Sequence, residues 1–153
     1  MFWTIPPIAK VYEAFSAVGD GRVSIQGMTA AVFSSDRSKT YSVRWSEDRS
    51  AFSSNDNGTY WQGYLGYPIL AVCMLLGILK YDPETAKTLA GIEWKKLNDK
   101  HKHDYAAGIT QVLLGLQGQG RDASKIQTEV ETVYAQVQKL TLARLPSSDR
   151  PPK

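Results

Sequence analysis

The sequence predicts an α+β fold: an N-terminal helix, a small antiparallel sheet of three or four strands, then a C-terminal set of four to five helices. Three observations carry this. Apolar residues first recur at helical spacing, then alternate with polar ones over 22–26 and 40–46, and return to helical spacing from Tyr67 onward. With 153 residues, 42% hydrophobic and 22% charged, the chain has the length and composition of one globular domain. That domain is expected over 1–145, and the proline-rich stretch 146–153 reads as a disordered tail.

In the first helix Ile8, Val11, Tyr12, Phe15 and Val18 form one stripe. Pro6 and Pro7 suit its first turn, and Gly19-Asp20-Gly21 stops it. Val23 and Ile25 then alternate with Arg22, Ser24 and Gln26, and Gly27 marks a turn. Residues 29–34 read as a second strand, Ser35-Asp36-Arg37-Ser38 as a turn, and Tyr41, Val43 and Trp45 as the inward positions of a third strand. After a turn at 46–49, residues 51–53 supply a short fourth strand. Alternation of this kind leaves one sheet face wet, here carrying Arg22, Gln26, Ser42 and Arg44.

The helical part opens with a strongly apolar helix over 68–79, ended by Tyr81-Asp82-Pro83. Short helices follow over 84–90 and 93–100. Tyr105, Ile109, Val112, Leu113 and Leu116 mark another, broken by Gly115, Gly118 and Gly120. The last is the most regular: Ile126, Val130, Val133, Val137 and Leu140 form a heptad-like stripe, and Pro146 ends it. The stripe fits a homodimer seam through helix 122–144 or a face laid across its own domain. One internal echo, Phe33-Ser34-Ser35 against Phe52-Ser53-Ser54, fits two similar hairpin turns and is far from a repeat architecture.

Composition narrows the function classes. Cys73 is the single cysteine and sits in an apolar run, so a buried structural thiol is expected. The start lacks the basic flank and apolar stretch of a signal peptide, which points to a cytoplasmic protein. No charged side chain occurs from Thr59 to Leu79, yet the continuously apolar part is shorter than the roughly 20 residues a spanning helix needs, so a membrane partner is not expected. The net charge of +3 is spread thinly, with six cations and five anions in 80–105 and no basic block.

The densest unusual segment runs from Asn55 to Pro68, with Asn55, Asp56, Asn57, Tyr60, Trp61, Gln62, Tyr64 and Tyr67 interleaved with glycines. Aromatic faces beside amide edges suit stacking on a base, a sugar or a peptide. The same residues equally suit a turn at Asn57-Gly58 and a cover over the buried helix. His101 and His103, beside Asp99 and Asp104, lie two apart and so do not share a helix face. No other histidine or second cysteine completes a tetrahedral site. There is no nucleophile elbow, no phosphate-binding loop and no dinucleotide fingerprint.

Residues 39–79 resemble the SWIM zinc-binding module, in which a Tyr-x-Val strand leads through a C-x-C pair to a C-x-H pair opening an apolar helix. Tyr41-Ser42-Val43 matches the strand, Ser53-Ser54-Asn55 lies where the first pair falls, and Gly66 to Val72 matches the helix entry. Every zinc ligand is missing. The resemblance therefore implies a ββα scaffold without its metal.

The expectation is a non-catalytic binding or adaptor domain, contacting a partner through the polar sheet face and loop 55–67, with Arg44 joining the loop residues named above. A nucleic-acid-binding module and a small-molecule enzyme with its site in loop 55–67 are the alternatives. No catalytic residue, metal ligand or cofactor is assigned.

Overall fold

The computed structural model describes residues 1–146 and 149–153. Helix α1 (Ala9–Gly19) follows the two prolines and is buried on almost every side, not only along its apolar stripe. Ala9, Ala14, Ser16 and Ala17 are small, and they let α2 (Tyr67–Leu75), α3 (Pro83–Thr88), α5 (Tyr105–Gly118) and α6 (Ala123–Lys139) close around it. At the far end Gly19 belongs to the helix. A methyl group there would lie 1.9 Å from the Ala86 carbonyl oxygen, so the glycine sets the approach of α3.

Strands β1 (Val23–Gln26), β2 (Thr29–Phe33), β3 (Thr40–Trp45) and β4 (Ala51–Ser54) form an antiparallel meander. Register places Val32 and Val43 on the core face, and Gln26, Ser42 and Arg44 on the opposite, exposed face. Arg22 does not join them. It precedes β1, beyond Gly21 at φ +66°, and is only 2% exposed. Its guanidinium turns back to Asp20 and to the Phe33 carbonyl, which no alternation rule anticipates.

A fifth strand, β5 (Ala143–Arg144), pairs in parallel with β4. It was not expected, because two residues carry no period. The exposed sheet face also meets the C-terminal segment: Arg44 donates to the Pro146 carbonyl at 3.1 Å and Asn55 to the Arg150 carbonyl at 3.2 Å. Ser147 and Ser148, within the stretch read as a disordered tail, lie outside the described residues.

Between sheet and helices, residues 58–62 form a π-helical turn closed by Gly63 at φ +73°. Helix α2 (Tyr67–Leu75) is buried from Pro68 through Met74, as a helix apolar on all sides must be. Among the described residues no helix is long and apolar enough to cross a membrane. Helices α3 (Pro83–Thr88) and α4 (Trp94–Lys100) follow, then α5 (Tyr105–Gly118), which runs through Gly115 rather than breaking there. Helix α6 (Ala123–Lys139) ends before Leu140, seven residues short of the expected stop at Pro146. Its stripe, Ile126, Val130, Val133 and Val137, is buried in the chain's own core, as in the reading of a face laid across its own domain.

Candidate functional site

Six parts of the chain converge on one cleft of about 170 Å³: α1, Arg22 ahead of β1, the β2–β3 turn, β3, the segment Asp56–Gly58 with Tyr67, and α4 with the first residue of α5. Its deepest groups are charged. Glu13 is 7% exposed and Arg22 2%. Lys10 Nζ lies 3.0 Å from Glu13 Oε2 as an ion pair, and this buried oxygen has no other partner among the described residues. Burial pushes the Glu13 carboxyl above its ordinary pKa, with the Lys10 ammonium opposing. Burial also works to lower Lys10, but the Glu13 carboxylate and the Tyr64 and Tyr105 phenols outweigh it, and its pKa is raised.

Arg22 spends Nε on Asp20 Oδ2 at 2.9 Å and Nη1 on the Phe33 carbonyl at 2.7 Å. Nη2 donates to nothing among the described residues. The Tyr67 ring lies 6.0 Å from its guanidinium carbon, and Tyr41 meets Tyr67 edge to face at 6.3 Å. Burial raises the pKa of both phenols, so both hydroxyls stay protonated at neutral pH. Neither hydroxyl has a hydrogen-bond partner among the described residues, and nor does the buried amide of Asn98. Trp94 walls the cleft with its ring, its Nε1 fixed to Ser16 Oγ at 2.8 Å, which in turn donates to the Leu89 carbonyl at 2.6 Å. Tyr105 and His103 stand at the mouth, with Lys10 Nζ 4.8 Å above the Tyr105 ring.

Loop 55–67 is divided by the fold. Asp56, Asn57 and Tyr67 reach the cleft. The Asp56 carboxylate is already committed, accepting from Ser54 Oγ at 2.5 Å and from the Thr59 amide at 3.0 Å. It therefore shapes the wall more than it offers a free acceptor. Tyr64 packs its ring against Gly58, where a methyl group would come within 2.5 Å of it. Tyr60 and Trp61 turn outward, in edge contact at 4.6 Å, with Trp61 67% exposed and Gln62 beside them. Asn55 accepts from the Ser42 amide at 2.8 Å and belongs, with Arg44, to the sheet side. His101 bonds Gln111 while His103 faces the cleft, and among the described residues no three His, Cys, Asp or Glu side chains are placed to hold a metal.

A family model matches residues 3–143, which include every residue of the cleft. The chain belongs to that family, Uncharacterised conserved protein UCP014422. No curated protein and no solved structure matches it. Strands β3 and β4 lead through the π-helical turn into α2. Sequence reasoning missed Lys10, Glu13, Arg22, Asn98 and Trp94 as site residues. The available signal was the set of small residues around Glu13 on α1, which marks a helix enclosed on all sides.

Proposed function

We propose that the protein is a non-catalytic binding domain that seats a small polar molecule bearing an acidic group in the α1–β3–α4 cleft. One observation carries the reading: Glu13, more than nine-tenths buried, has only the Lys10 ammonium against its Oε2, in a cleft where Arg22 Nη2 and the Tyr41 and Tyr67 hydroxyls have no hydrogen-bond partner among the described residues. Polar groups that line one cleft without protein partners are available to a molecule seated there. A carboxylate or phosphate suits Arg22 Nη2 and the two phenols as donors, while an amine or hydroxyl on the same molecule suits Glu13. A volume of about 170 Å³ lies below the roughly 300–1,000 Å³ of drug-sized sites, which favours an amino-acid or hydroxy-acid over a nucleotide. The lone buried Cys73, its thiol pushed up to about 12 by burial, accords with a reducing compartment and with a cytoplasmic location.

Ligand-observed NMR against a panel of small amino and hydroxy acids tests this. Binding to the wild type that weakens about tenfold or more in Tyr67→Phe supports it, since a hydrogen bond to a charged group is worth roughly 1.5–3 kcal/mol. No binder in the panel, or a binder indifferent to both Tyr67→Phe and Tyr41→Phe, refutes it.

A catalytic use of the same cleft is the second reading, favoured by the raised carboxyl of Glu13, which suits a general acid. It requires that a bound panel member be converted by the wild type and left intact by Glu13→Gln.

A further inference from the structure

We propose that the groove between α3, α4 and α5 is a docking site for an acidic, amphipathic peptide segment of a partner protein. It shares no lining residue with the cleft, because α4 presents Trp94 and Asn98 to one side and Lys96, Leu97 and Lys100 to the other. The groove encloses about 550 Å³. Its floor is apolar, with Ile92, Leu97 and Val112 half-buried and Leu116 buried. Lys87, Lys96, Lys100 and Arg121 stand around it against the single carboxylate of Glu93.

Those cations are weakly engaged. Lys87 meets Glu84 at 3.3 Å and Lys96 meets Glu93 at 3.9 Å, both as exposed pairs of little net worth. Among the described residues the side chains of Lys100 and Arg121 hydrogen-bond to the neutral side chains of Gln111 and Thr88. A further feature is Gly115, on the groove wall within α5. A methyl group there would meet no atom within 4 Å, so packing inside the chain does not require a glycine. A helical glycine is unfavourable relative to alanine, and here its use is to let a partner backbone approach.

Apolar floor and basic rim together fit a segment with apolar side chains on one face and carboxylates along its flanks. Nucleic acid fits less well, since no aromatic ring lines the groove for a base to stack on.

The test is a display selection of random short peptides on the intact protein, with affinities then measured for synthetic copies. Selected peptides should be rich in Asp and Glu, with apolar residues at helical spacing. They should lose roughly tenfold or more in affinity for the double variant Lys96→Glu, Lys100→Glu, whose substituted positions are exposed, so that folding is preserved. Gly115→Ala should raise the melting temperature yet weaken the same peptides. Peptides without acidic bias, or bound equally by the charge-reversed protein, overturn the proposal. So does a single-stranded oligonucleotide that binds the groove where no peptide is selected. Ligand binding in the cleft is read separately, so failure here leaves that proposal standing.

Discussion

Glu13 shows what one side chain does when a helix is enclosed rather than half-exposed. Its carboxyl is raised by burial, opposed by Lys10 and Arg22 and reinforced by Asp56. A carboxyl raised in the folded state stays protonated there after the unfolded chain has lost its proton. Stability is therefore fully present below the ordinary value of 4.5 and falls as pH rises through the raised one. Wild type minus Glu13→Gln, followed by denaturant titration at several pH values, should decline above 4.5 by at most about 1.4 kcal/mol per pH unit. A flat or rising difference would show that Lys10 keeps the carboxylate ionised throughout. Tyr41→Phe and Tyr67→Phe belong to the same scale. Each removes an unpartnered hydroxyl and keeps its ring, so stability should change by less than about 0.5 kcal/mol. A loss of roughly 1 kcal/mol or more would reveal a structural hydrogen bond instead.

At the scale of elements, the sheet is organised by two copies of one turn. Ser34-Ser35-Asp36-Arg37-Ser38 and Ser46-Glu47-Asp48-Arg49-Ser50 each send the first serine hydroxyl to the aspartate, at 2.9 and 2.7 Å. Both aspartates also accept from the amide and hydroxyl of the last serine. Both arginines take positive φ, 60° and 61°. Ser54 and Asp56 begin the same way, and there the loop departs toward the cleft. The echo of Phe33-Ser34-Ser35 in Phe52-Ser53-Ser54 is a different pair: residues 52–54 lie in β4 and lead into the π-helical turn rather than into a second hairpin. These bonds hold the Asp48 carboxyl down to about 2 and Asp36 lower still. Their contribution is present above the ordinary 3.8 and lost as pH falls through the depressed values, so Asp48→Ala should be less stable than wild type at neutral pH, with the gap closing in acid.

Packing at the loop entrance is equally specific. A methyl group on Gly66 would lie 2.1 Å from Asp56 Oδ2 and 2.7 Å from Thr59 Oγ1. Gly66→Ala should cost about 1–3 kcal/mol and disturb the cleft wall, visible as lost stability together with lost ligand binding. Helix α6 offers the opposite case. Val130 and Val137 are fully buried, so Val130→Asp should unfold the protein; a folded variant with a native circular-dichroism spectrum would return the stripe to the surface.

For the molecule as a whole, α1 is the organising element. It touches α2, α3, α5 and α6, and its polar residues meet the β2–β3 turn and α4 across the cleft. Any ligand that bridges these parts should raise the melting temperature in proportion to the logarithm of its concentration, without changing the pH trend assigned to Asp48. Lys87, Lys96, Lys100 and Arg121 gather around the groove beside Glu93, a local excess of cations that no run of sequence shows.

The sequence by itself determined the α+β class, the order of helix, sheet and helices, the faces of β3 and the buried character of α2. Each is a local matter, since periodicity, turn residues and prolines act within a few positions of themselves. Only tertiary structure decided that Arg22 is buried, that β5 closes on β4, that the α6 stripe is core, and that loop 55–67 divides between cleft and surface. Those outcomes join residues far apart in the chain, Glu13 with Asn98 and Arg44 with Pro146, and no local pattern encodes such partners. Polar residues are the hardest to place. A charged side chain on a helix reads as solvent-facing until the elements that pack around it are known, and here they enclose it.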